Sequence, residues 1–227
     1  MISRHGPFAI DRFRIMFDRM VKSARFSHDT FLALKEDPTA TGQALIVLAL
    51  AGASFGVGFA ASIGFSTIGI LLGAVFGAVA SIALGIVWVS LTFLIGRRFF
   101  GGISEYRSLA RPVFFSSPPG LVFLIMSIPV SPIPDVARAI GVAWIAISTV
   151  IAVKTALGLD TQRSLVIFII VTFIVLLGYG FVASLLSAIK KSLTATRGEA
   201  YCSAVGVFAT AGLYLLKISI AGSLFMS

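Results

Sequence analysis

The chain has 227 residues, of which 58% are hydrophobic and 12% charged, with a formal net charge of +9. Average soluble proteins are roughly 25% charged, and here the apolar residues collect into long runs, which excludes a water-soluble core and makes lipid the solvent of the fold. The Lys and Arg excess sits in segments flanking those runs, where it orients a chain and meets anionic headgroups, so nucleic acid is not an expected partner.

The first 40 residues are polar and basic, with no short apolar core before a small-residue cleavage site, and do not read as a secretory signal. Residues 7–26 predict an amphipathic helix. Phe13, Met16, Phe17, Met20, Val21 and Ala24 share one face at helical spacing, while Arg12, Arg19, Lys22 and Arg25 lie mostly opposite, among Asp11 and Asp18. A basic amphipathic helix ahead of a membrane span reads as interfacial, in contact with the membrane surface. The plainer reading is a tail, or a helix packed on the protein's own loops. A second short helix, from about Asp29 to Glu36, ends at Asp37-Pro38, because the residue before proline avoids the helical region.

No residue from Pro38 to Gly96 is charged, a stretch long enough for two spans. The first is expected from about Gln43 to Ile63 and the second from about Ile68 to Ile95, joined by Gly64-Phe65-Ser66-Thr67. Each carries a ladder of small residues stepping by four: Gly52, Gly56, Ala60, Gly64, and then Gly69, Gly73, Gly77, Ser81, Gly85. That spacing lines one helix face and lets two backbones approach closely. With so short a link the helices are antiparallel neighbours, and the ladders are expected to face each other within one chain. Self-association into a homo-oligomer, with one ladder left for a second copy, is the alternative.

The third span is irregular. The sequence predicts an interfacial helix from about Ser104, a helix break at Pro118 and Pro119, and a span starting near Pro119, since paired prolines remove two backbone donors but suit a helix start. Ser131-Pro132-Ile133-Pro134 predicts a tight turn. The fourth span is expected from about Asp135 to Val153, with Asp135 and Arg138 paired at its mouth. The fifth is expected from about Ser164 to Ser187. The organisation is thus an N-terminal cytoplasmic segment over 1–41, a five-span domain over 42–187, and a polar linker with a further apolar stretch over 188–227. In that last stretch Ala204–Met226 carries one charge, Lys217, and both a sixth span and a surface-lying helix stay open.

Seven Lys or Arg precede the first span, and Arg97, Arg98, Arg107, Arg111, Lys154 and Arg163 fall on the same side of a five-span map. The positive-inside rule places that side in the cytoplasm; Lys190, Lys191 and Arg197 run against it. No zinc-protease, P-loop or nucleophile-elbow motif occurs. The two histidines, His5 and His28, lie in the N-terminal segment, and Cys202 is the single cysteine. His28-Asp29 and Glu36-Asp37 read as solvated cap residues. No catalytic, cofactor-binding or metal-binding residue is expected.

From Gly101 to about Phe181 the order of features resembles the Yip family, the Ypt/Rab-interacting membrane proteins, in its prokaryotic form. The glycine pair Gly101-Gly102 precedes Ser104-Glu105-Tyr106-Arg107-Ser108-Leu109, then Arg111-Pro112-Val113-Phe114-Phe115 and the Ser117-Pro118 helix start. Trp144 in the fourth span is followed by Lys154-Thr155-Ala156-Leu157-Gly158-Leu159-Asp160-Thr161, and Asp37-Pro38-Thr39-Ala40 enters the first span. The resemblance covers most of residues 28–187. It implies a cytoplasmic N-terminus, five spans and no enzymatic activity. Eukaryotic members act in vesicle trafficking, binding Rab GTPases or shaping membranes. Their N-terminal Asp-Leu-Tyr-Gly-Pro signature is absent here, so GTPase binding does not carry over.

The expectation is an all-α integral membrane protein with five spans and an N-terminal amphipathic interfacial helix. Its expected role is a non-enzymatic membrane scaffold, adaptor or membrane-organising protein, with membrane lipid and other membrane proteins as partners. A small permease or channel is the alternative, against which stands the lack of charged residues in the middle of the five spans. The expected location is an integral, multi-pass one, which in a prokaryotic cell is the plasma membrane.

Overall fold

The computed structural model describes residues 7–102 and 104–196. The Ala204–Met226 stretch, with the question of a sixth span, lies outside the described residues, as do Cys202 and Lys217. In chain order the elements are α1 (Pro7–Ala24), α2 (His28–Glu36), α3 (Ala40–Ser62), α4 (Thr67–Phe100), α5 (Tyr106–Phe114), a 3-10 helix (Pro118–Ser127), α6 (Ile133–Leu157) and α7 (Thr161–Thr196). One compact unit extends to Phe168 and a second begins at Ile169, within α7. Five segments are long and apolar enough to cross a membrane: Ala40–Ser62, Thr67–Phe100, Tyr106–Ser127, Ile133–Leu157 and Thr161–Val182. The protein is an all-α, multi-pass membrane protein.

The hairpin of α3 and α4 is closed by local chemistry. Gly64 takes φ +77°, a left-handed conformation that glycine adopts without steric cost. The amide of Phe65 then bonds back to the carbonyl of Ala60. Ser66 caps α4 by accepting from the amide of Gly69. α4 continues well past the expected end at Ile95. Charged side chains do not stop a helix, and Arg97 and Arg98 in the last turn suit its negative end. It ends where Gly101 takes φ +70° and lets the chain turn away. At 1.5 Å per residue α4 reaches ~51 Å, beyond a ~30 Å hydrocarbon core.

The third span differs from the sequence reading: the candidate span runs from Tyr106 through Ser127 rather than from Pro119, and Leu109 through Phe114 of α5 are all buried within the protein. α5 is enclosed by α2, α3, α4 and α6. Beyond it the chain winds as a 3-10 helix over ten residues, although such runs rarely exceed three or four. Pro118 and Pro119 open it, where their missing amides cost nothing, and the amide of Gly120 bonds to the Ser117 carbonyl in the tighter pattern. The 3-10 rise of ~2.0 Å per residue carries ten residues ~20 Å, against ~15 Å for an α-helix. A short apolar run therefore reaches deeper between α3 and α6 than its length predicts.

α3 is central. It packs on α4 along one face and on α5 and the 3-10 helix along another. Phe123, Met126 and Ala137 form a buried cluster with Phe55, Phe59, Val122 and Ile145 around it. None of the most apolar stretch of α4 is buried within the protein. Ile68, Leu71, Val75, Val79 and Leu94 are all exposed, the surface expected of a helix solvated by lipid.

Candidate functional site: a small-residue seam and a polar cap

The described residues bring together a seam of small residues inside the bundle and a polar cap over one end of it. The seam comes from α3 and α4. A methyl group placed on Gly52 would fall on the Gly77 carbonyl and the Ser81 side chain, and one on Gly56 would fall on the Gly73 carbonyl. From the other side, a Cβ on Gly73 would lie 2.8 Å from the Gly56 carbonyl oxygen and 3.0 Å from Ala60 Cβ. Backbone meets backbone with no room for a side chain, the close approach that four-residue spacing permits. Ser81 adds a link across the seam, donating from Oγ to the Leu48 carbonyl at 3.1 Å.

Two ladder members stand elsewhere: Gly64 is the turn residue and Gly69 abuts Phe65, while Gly85 meets α3 through the Leu48 side chain, beside Phe114. A second small face on α3 was missed by the sequence reading. Ala44, Val47, Ala51, Ser54 and Gly58 are buried, and their spacing of three and four is the signal that marks one helix face. A Cβ on Gly58 would fall on the Phe123 carbonyl, and one on Gly120 would meet Ala51 Cβ at 3.0 Å. These positions let the 3-10 helix lie close against α3.

The cap is built by α1, α2 and the last turn of α5. Arg111 is 7% exposed. Its Nε donates to Thr41 Oγ1 at 3.0 Å and its Nη1 to the Lys35 carbonyl at 3.0 Å. It thereby ties the last turn of α2 to the first turn of α3. His28 Nδ1 lies 2.9 Å from Thr155 Oγ1 on α6, and Ser116 Oγ lies 2.8 Å from Thr149 Oγ1. Arg19 reaches from α1 to Asp37 Oδ2 at 2.6 Å and Gln43 Oε1 at 3.1 Å. The Asp37 carboxyl is held below its ordinary pKa, chiefly by the Thr39 hydroxyl; burial opposes this, and the Arg19 guanidinium and the Thr39 amide add to the lowering. Trp144 Nε1, on α6, donates to the Ala24 carbonyl at 2.9 Å. That carbonyl ends α1 and has no partner within its own helix.

The apolar face of α1 is divided. Met16, Met20 and Ser23 are buried against the protein, while Phe13 is 65% and Phe17 57% exposed. Arg12, Lys22 and Arg25 point outward, with Lys22 paired to Asp18 at 2.7 Å. Asp135 and Arg138 pair at 3.4 Å at the start of α6. Among the described residues no group of three or more His, Cys, Asp or Glu is placed to hold a metal ion.

The sequence model of the Yip1 domain matches residues 24–185. The chain belongs to the Yip1 family. No curated protein and no solved structure matches it. The Yip1 domain begins at Ala24, the residue whose carbonyl Trp144 holds, and ends inside α7. The seam, the 3-10 helix and the Arg111 clamp are all within the Yip1 domain, whereas α1 precedes it. Helix α1 lies ahead of the matched residues and docks on them through Met16, Met20, Arg19 and its terminal carbonyl.

Proposed function

We propose that this Yip1-domain protein is a non-enzymatic membrane-organising scaffold, with α1 as the element that engages the lipid surface. The observation that carries this reading is the divided face of α1. One edge, Met16 and Met20, is docked, and the next, Phe13 and Phe17, stands open beside outward-pointing Arg12, Lys22 and Arg25. A helix held in this way presents aromatic rings to acyl chains and cations to anionic headgroups. Lipid is its first partner. Other membrane proteins are the second, with the exposed apolar surface of α4 available to them or to another copy of the chain.

A peptide of residues 7–26 is expected to turn helical on vesicles containing anionic lipid and to release as salt rises, because screening shortens the reach of its charges. Changing Phe13 and Phe17 to Ser is expected to weaken binding even at low salt. A random-coil circular dichroism spectrum on anionic vesicles, or binding indifferent to both changes, would remove the reading.

The N-terminus is proposed to be cytoplasmic, supported by the Lys and Arg that flank α1, α4 and α5. In a Cys202→Ser background, a membrane-impermeant thiol reagent added outside intact cells is expected to label Phe65→Cys and to spare Ser104→Cys. The reverse pattern would invert the topology.

A further inference from the structure

The end of α4 carries a feature that the scaffold reading does not use. A shallow cavity of about 290 Å³ is lined by Phe93, Leu94, Arg97 and Arg98. Its lining is half apolar and half cationic, and it lies where the uncharged run of the second span gives way to charge. Among the described residues neither arginine is in a salt bridge. Arg97 is instead held over the Phe93 ring, 5.8 Å from its centroid. Phe93 packs edge-on against Tyr106 at 5.8 Å, and the Tyr106 hydroxyl is 3.3 Å from Ser90 Oγ. The guanidinium is thereby positioned without being neutralised, since a ring face attracts a cation but supplies no counter-charge.

We infer that this cavity is a binding site for one anionic phospholipid. The phosphate is held by Arg97 and Arg98, for which guanidinium geometry is suited. An acyl chain runs down the exposed apolar side of α4 past Leu94, which is 62% exposed. The charge balance selects the occupant: two cations and no carboxylate line the cavity, so a zwitterionic headgroup brings a repelled ammonium with its phosphate. The site is separate from α1 and does not depend on the scaffold reading.

The full-length protein in neutral detergent is titrated with phosphatidylglycerol or phosphatidylcholine and followed by native mass spectrometry and thermal unfolding. One phosphatidylglycerol is expected to stay bound and to raise the unfolding midpoint, with phosphatidylcholine weaker by about fivefold, the scale of one headgroup charge near basic residues. Arg97→Gln with Arg98→Gln is expected to lower phosphatidylglycerol affinity about 25-fold, at roughly a fivefold loss per basic side chain. Arg98→Gln alone keeps the Arg97–Phe93–Tyr106 stack and serves if the double variant does not fold, with an expected loss of about fivefold. Leu94→Ser is expected to weaken the lipid but not inorganic phosphate, which separates a lipid from a free anion as the source of the phosphate. Arg107→Gln, outside the cavity, is expected to leave affinity unchanged. Equal losses from Arg107→Gln, equal binding of phosphatidylcholine, or displacement of the lipid by inorganic phosphate at matched concentration would each overturn the proposal. Loss of vesicle binding by the α1 peptide would not touch it, so the two readings fail separately.

Discussion

Replacing Gly73 and Gly77 together with leucine is expected to lower the thermal unfolding midpoint of the detergent-solubilised protein by about 6–12 °C. That is the shift for ~3 kcal/mol in a chain of this size. The reason is geometric. A Cβ at Gly77 would fall on the Gly52 carbonyl and lie 3.1 Å from the Gly56 Cα; one at Gly73 would lie 2.8 Å from the Gly56 carbonyl oxygen. The obstructing atoms are backbone, which cannot rotate aside, so α3 and α4 must separate and lose contact along the seam. A matched control is Gly42→Ala. No atom lies within 4 Å of a Cβ there, and Gly42 is inside α3, so alanine is expected to be neutral or to stabilise by about 0.5–1 kcal/mol. A double leucine variant that melts like the wild type would mean that the seam does not hold the hairpin together.

Arg111→Ala is the second large effect expected, about 2–4 kcal/mol of destabilisation. It removes two hydrogen bonds from a charged donor, strands the Lys35 carbonyl, and leaves a gap where a nearly buried side chain stood. The Lys35 carbonyl belongs to the last turn of α2, where carbonyls lack partners and the helix end is negative. Arg111 is both the donor and the counter-charge. Arg111→Lys keeps the charge but not the fork that reaches both acceptors, and is expected to lose about half as much. Unfolding by heat gives the magnitude. Limited proteolysis gives the place, with new cleavage expected between α2 and α3. Unchanged melting and unchanged cleavage in Arg111→Ala would show that α2 is held without Arg111, by Phe31, Leu34 and the His28–Thr155 contact.

Covering one end of the bundle by polar contacts gives the family fold a fixed platform. Arg111, His28 and Arg19 each join segments far apart in the chain. Phe31 and Leu34 of α2 are fully buried beneath them. A docked α1 then has a defined height on the bundle, which a flexible tail would not have. That matters for an element proposed to meet lipid, because only a fixed helix presents Phe13 and Phe17 at a constant depth.

The membrane class, the five apolar segments and the antiparallel hairpin were determined by the sequence alone. An uncharged run longer than two bilayer cores, cut by a four-residue link, permits little else. Helix boundaries at Pro38 and Gly64 were likewise local, since they follow from the backbone preferences of single residues. Tertiary structure decided what depends on neighbours. Helical spacing puts Phe13, Met16, Phe17 and Met20 on one face, but only the position of the bundle decides which edge of it is docked and which is open. Arg111 sits in a basic, membrane-flanking stretch and resembles the exposed arginines around it; burial came from α2 folding over it. The apolar run after Pro119 has a composition suited to an α-helix, yet it winds as a 3-10 helix between Ala51 and Gly58 on one side and Gly141 and Ile145 on the other. Pairwise packing of that kind is a property of two surfaces together, and neither segment carries it by itself.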